Sequence, residues 1–104
     1  MLTKENAISI VKEYIMMCES RNIRILKAIL FGSFSKGHQT EMSDIDLLLV
    51  SDNFNEMSLL NHRMLAPITA KLFDVEVHPY PTAHFIQGDP FIEEIIKTGI
   101  EIKI

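Results

Sequence analysis

Apolar positions along this chain follow two rhythms, one every three to four residues and one every second residue. Ile8, Val11, Ile15 and Cys18 recur at helical spacing with Tyr14 alongside, which predicts a helix over residues 3–19. Thr3 is placed to cap its start, and Asn22 can take the left-handed conformation that ends it. Residues 25–31, rich in Ile and Leu, predict a first strand. Residues 44–51 predict a second strand, and Leu47-Leu48-Leu49-Val50 is apolar at every position, so both of its faces should be covered. Residues 52–55 read as a polar turn and cap before a second helix over residues 56–72. Its apolar face is expected to carry Met57, Leu60, Met64 and Ile68, with His62 and Arg63 in solvent. Pro67 lacks an N–H and should kink or divide it.

Residues 73–78 alternate strictly and predict a third strand. Asp74, Glu76 and His78 share one face, and Phe73, Val75 and Val77 the other. Pro79-Tyr80-Pro81 is expected to break the chain, and residues 82–87 to hold one helical turn with Phe85 and Ile86 packed down. Asp89-Pro90 opens a third helix, with Glu93 and Glu94 in the first turns, Lys97 in the last and Gly99 just past it. Ile100, Ile102 and Ile104 alternate with Glu101 and Lys103, as a short strand or as an apolar tail awaiting a partner. The fold expected is α/β: three main strands in a small mixed sheet with helices packed on it, joined by a short fourth strand if the terminal isoleucines pair. Residues 1–104 are read as a single domain, with no repeat, linker or low-complexity segment.

Composition narrows the functional classes. The 47% apolar content suits a packed core rather than a disordered chain. One cysteine permits no disulfide within the chain and fits a reducing cytoplasm, and Cys18, Met16 and Met17 read as core packing. No apolar run approaches the roughly 20 residues of a membrane span, and the first residues do not resemble a signal peptide. The net charge is −4 and no basic cluster appears, so direct binding to a nucleic-acid backbone is not expected.

The chemistry-bearing stretch lies between the first two strands. Gly32-Ser33 stands where the first apolar run stops, and Asp44 and Asp46 open the second. Alternation along a strand points both carboxylates the same way, with Cα atoms roughly 6.5–7 Å apart. Two such carboxylates can converge on divalent cations, and carboxylates leading a buried strand are costly unless something cationic meets them. Gly32 allows a tight reversal and close approach of the backbone to a ligand, and Ser33 can cap a short helical turn whose free N–H groups favour an anion. A phosphate then fits between the turn and the carboxylates. Lys36 and His38, in the intervening loop, read as surface residues, and Ser43 either orients Asp44 or ends the loop.

The ordered set Gly32, Ser33, Gly37, Ser43, Asp44, Asp46 and Leu47 resembles the signature of the nucleotidyltransferase superfamily typified by DNA polymerase beta, and the chain's length resembles that of its minimal members. The resemblance implies the polymerase beta-like fold over nearly the whole chain and transfer of NMP, AMP from ATP foremost, onto a hydroxyl. It implies Mg2+ held by Asp44, Asp46 and a third carboxylate on the third strand, Asp74 or Glu76. Asp74, which matches the family's hydrophobic-Asp-hydrophobic strand, is the third metal ligand expected, and Glu76, which points the same way, is the alternative. In the family's two-metal scheme one ion activates the acceptor hydroxyl and the other stabilises departing pyrophosphate, and the third carboxylate also draws the nucleophile's proton. Gly32 and Ser33, with Ser43, would position the nucleoside triphosphate. Minimal members are often paired with a small helical HEPN-type toxin, and some act as antitoxins that transfer AMP to a tyrosine on it. The alternative is a catalytically silent module that holds nucleotide or partner and neutralises by binding alone.

Overall fold

In the computed structural model, which describes residues 3–33 and 44–104, four strands form one mixed sheet. They are β1 (Lys27–Phe31), β2 (Ile45–Ser51), β3 (Val75–Pro81) and β4 (Ile100–Ile102), in the order β3-β2-β1-β4. β1 runs antiparallel to both β2 and β4, and β2 runs parallel to β3. A parallel pair needs a crossover, and helix α2 (Ser58–Lys71) supplies it. The remaining helices are α1 (Lys4–Ser20), α3 (Thr82–Gln87) and α4 (Pro90–Thr98). None of these helices is long and apolar enough to cross a membrane.

Strand alternation divides the sheet into two apolar faces. Ala28, Leu30, Ile45, Leu47, Leu49, Val75, Val77 and Ile102 face α1 and α2, which contribute Val11, Tyr14, Ile15, Cys18, Leu65 and Ile68. Ile29, Leu48 and Val50 face the other way, against Ile92 and Ile95 of α4. Leu47 through Val50 are at most 2% exposed, so both faces of β2 are covered as its unbroken apolar run predicts. Tyr14 Oη bonds Thr69 Oγ1 at 2.8 Å and ties α1 to α2, and burial raises its phenol to about 12. The Cys18 thiol is buried and pushed up to about 12 by desolvation, an inert core group.

The caps follow local chemistry. Thr3 Oγ1 accepts from Asn6 N at 3.1 Å, Asn22 sits at φ 63°, and Asp89 Oδ1 accepts from Ile92 N at 2.8 Å. Gly99 ends α4 where an added Cβ would overlap the Ile29 side chain, so its lack of a side chain lets α4 close onto β1. The Ile-rich terminus is a strand: Ile100 and Ile102 pair with Leu30 and Ala28, and only Ile104 points outward, 63% exposed.

The structure corrects the expected elements at four places, and Met16 and Ile86, expected to pack down, are instead 71% and 78% exposed. Pro67 does not divide α2; its ring is exposed, where the carbonyl it leaves unbonded can meet water. The buried face of α2 is Asn61, Leu65 and Ile68, while Met57 and Leu60 are exposed. No side chain caps α2; the Asn55 side chain accepts from Met57 N instead. β3 starts two residues late and runs through both prolines rather than breaking, leaving Phe73 78% exposed. The prolines are tolerated because β3 is an edge strand. Val75 N bonds back to Leu72 O, and Asp74 O accepts from Ile45 N, so odd-numbered amides of β3 point away from β2. Pro79 and Pro81 thus lack only N–H groups that would face the open edge.

Candidate active site

The end of β1 and the beginnings of β2 and β3 meet at one end of the sheet. In register, Phe31 faces Asp46, and Asp46 faces Glu76. Three strands therefore bring Gly32 and the two carboxylates together on the face that carries α4. Asp44, one alternation before Asp46, precedes β2 and is exposed. Its charge and that of Glu76 both act on Asp46. Asp46 is raised to about 6, first by burial, then by the charges of Glu76 and Asp44, and last by hydrogen bonding with Glu76. A cation between these groups would relieve all the charge repulsion and favour the ionised form, so the residues fit a divalent metal.

Gly32 is at φ 76°, and a Cβ built on it would overlap the Asp46 carboxylate. Glycine is thus needed here twice, for its left-handed conformation and for room beside the acid. Ser33 follows, half-buried. Gly37, Ser43, Lys36 and His38 lie outside the described residues.

Of the two acids proposed for the third position, the structure brings Glu76 to Asp46. Asp74 precedes β3, is exposed, and contributes its backbone carbonyl to Ile45 N. Among the described residues, the cluster able to share a metal ion is Asp46, Glu76 and His78, whose ligand atoms all lie within 4.8 Å of one another. His78 shares a face with Glu76 by strand alternation, which the sequence shows, but its distances depend on β3 lying beside β2. Burial lowers its imidazole from the usual value, with Glu76 opposing and His62 assisting.

A groove of about 540 Å³ runs from this cluster along the open edge of β3. Asp44 and Glu76 stand at its polar end, and Ala66, Ala70, Phe73 and Val77 line the rest with His62 and Thr69 of α2. His62 is exposed on its helix as expected, yet it belongs to this wall.

Comparisons with known proteins agree with this geometry. A candidate protein adenylyltransferase of Methanocaldococcus jannaschii is 49% identical over 43 residues, 40% of this chain and 43% of that protein. A second from the same organism is 31% identical over 61 residues, 58% of this chain and 42% of that protein. The match thus spans less than half the length of either relative. Among solved structures, a candidate nucleotidyltransferase from Sulfolobus solfataricus superposes with a TM-score of 0.69 at 18% identity, covering 94% of this chain and 80% of that one. A toxin–antitoxin structure with AMP-PNP superposes with a TM-score of 0.59 at 21% identity, covering 88% and 72%. Both superpositions show that this chain shares their fold. The nucleotidyltransferase domain model matches residues 11–102, which include the Gly32 turn, Asp44, Asp46 and Glu76, and the chain belongs to that family.

Proposed function

We propose that this chain is a magnesium-dependent nucleotidyltransferase that moves AMP from ATP onto a hydroxyl of a protein partner, as the antitoxin of a toxin–antitoxin pair. The observation that carries the reading is Asp46, raised to about 6 between Glu76 and Asp44 and pressed against a glycine turn. Such a cluster is unfavourable for stability alone and suits a site whose charge is completed by metal and triphosphate. The relatives' naming as protein adenylyltransferases supports a protein acceptor, and the fold shared with a toxin–antitoxin structure holding AMP-PNP supports both nucleotide and pairing.

Roles follow from placement. Asp44 and Asp46 would hold the metal, which when bound supplies charge neutralisation along the triphosphate and lowers the pKa of the acceptor hydroxyl. Glu76 takes the third carboxylate's place in this proposal, because it faces Asp46 in register while Asp74 lies before the strand. It would accept the hydroxyl proton. Gly32 presents backbone at close range, and Ser33 and Ser43 would hold phosphate oxygens. The largely apolar groove along β3, about 540 Å³ in volume, has Glu76 in its lining.

The test mixes the protein with a helical HEPN-type partner, ATP and Mg2+, and follows intact mass beside a ribonuclease assay. The partner should gain one or more adenylate units and lose activity. The Asp44→Asn, Asp46→Asn double variant should bind the partner without modifying or silencing it. Neutralisation by the double variant with no mass change would identify a silent binding module and overturn the enzymatic reading.

A further inference from the structure

His78 is not accounted for by the reading above. Its Nε2 lies 3.7 Å from Glu76 Oε1 and 3.9 Å from Asp46 Oδ1. Both separations exceed hydrogen-bond length. The nitrogen is nevertheless buried and without a hydrogen-bond partner among the described residues. A buried nitrogen left unpaired is costly, and such groups call for an explanation.

The ring is held in this pose from two sides. Phe31, at the end of β1, meets it edge-on with centroids 5.1 Å apart, and Phe91 of α4 lies 5.8 Å away. Phe31 and Phe91 also pack on each other at 5.7 Å. Aromatic packing thus aims Nε2 at the two carboxylates while offering it nothing to bond. Metal–ligand bonds of 2.0–2.2 Å put neighbouring ligand atoms roughly 3–3.5 Å apart. The observed 3.7 and 3.9 Å from Nε2 need close by only a few tenths of an ångström, and the three ligand atoms all lie within 4.8 Å of one another.

We propose that His78 Nε2 is a metal ligand beside Asp46 and Glu76, and that it tunes the site toward first-row transition-metal ions such as Mn2+ and Co2+ over Mg2+. Carboxylates alone suit Mg2+, whereas imidazole favours the borderline ions. The inference rests on the reading of this cluster as a metal centre and adds the ion it selects.

The test titrates the full chain, without nucleotide, with Mg2+, Mn2+ and Co2+, following Mn2+ by electron paramagnetic resonance and Co2+ by its visible absorption. His78→Phe keeps an aromatic ring between Phe31 and Phe91, and thermal melting confirms its fold. It should weaken Mn2+ and Co2+ binding at least about tenfold and change Mg2+ binding far less. In wild type, Zn2+ should also move the His78 Nε2 signal in 15N NMR, a readout that does not depend on the variant folding. Mg2+ binding that persists while the variant's ion preference and the nitrogen signal stay unchanged overturns the role of His78 alone. Failure of wild type to bind any divalent ion, with or without ATP, overturns this inference and the metal-dependent function together.

Discussion

At the scale of single residues, Gly32 and Asp46 form one unit. The glycine's left-handed backbone and the space it leaves are both taken up by the acid. Gly32→Ala should cost about 1–2 kcal/mol in backbone strain and displace the Asp46 carboxylate, so metal affinity should fall with stability. Gly88 is a matched control: its φ is 77°, yet nothing lies within 4 Å of where its Cβ would stand. Gly88→Ala should bear the strain and leave ion binding unchanged. Thermal melting beside a metal titration separates the two, and equal binding losses would refute the contact. The Gly-Ser turn and the Asp-x-Asp spacing were legible in the sequence because both are local. Which acid meets Asp46 was not, since Asp74 and Glu76 share a strand face and only strand pairing distinguishes them.

At the scale of elements, α2 and its entry loop are joined by a polar pair that periodicity hides. Asn61, 1% exposed, donates from Nδ2 to Asn55 O at 2.7 Å and accepts from Asn55 N at 2.9 Å through Oδ1. The helical pattern of Met57, Leu60, Met64 and Ile68 pointed to a different face. The face actually buried includes Asn61, because closing the loop's backbone groups outweighs burying Leu60. Asn61→Ala should destabilise by about 1–3 kcal/mol, the cost of leaving two buried backbone groups unpaired. Urea denaturation measures that loss, and the Asn55 amide should lose hydrogen-exchange protection before the sheet does. An unchanged midpoint would show that water replaces the carboxamide. β3 carries a similar lesson: its prolines look like a break until the strand is placed at the edge, where their missing donors face nothing in the sheet.

For the whole molecule, the acidic cluster sets a dependence of stability on pH. Asp46 titrates near 6 in the folded protein against 3.8 for an ordinary aspartate. The metal-free folded state therefore holds a proton that the unfolded chain has released, between about pH 4 and 6. Its stabilising effect is complete below that window and is lost as pH rises through 6. The loss is on the order of 2 kcal/mol for a side chain 27% exposed. His78, lowered by burial, acts with the opposite sign over its own range, so the comparison with Asp46→Asn isolates the aspartate. The variant should be more stable than wild type above pH 6 without metal, and the two should converge near pH 4. Saturating divalent ion should reverse their order at pH 7 by binding wild type alone. Denaturant midpoints across pH 4–8 check this, and parallel curves would show that Asp46 is not raised.

The sequence by itself determined most element positions, the buried strand β2, the caps at Thr3, Asn22 and Asp89, and the pairing of a glycine turn with two aspartates. These depend on interactions within a few residues, or on an apolar period that any packed arrangement must bury. Only the tertiary structure decided what depends on strand order and register. It set Glu76 opposite Asp46, turned His78 toward the carboxylates, placed β3 at the edge where Pro79 and Pro81 are allowed, and drew Ile100 and Ile102 into β4. A parallel neighbour shifted by one residue would keep every local propensity and send Glu76 and His78 to the opposite face, so no local pattern could have specified the site.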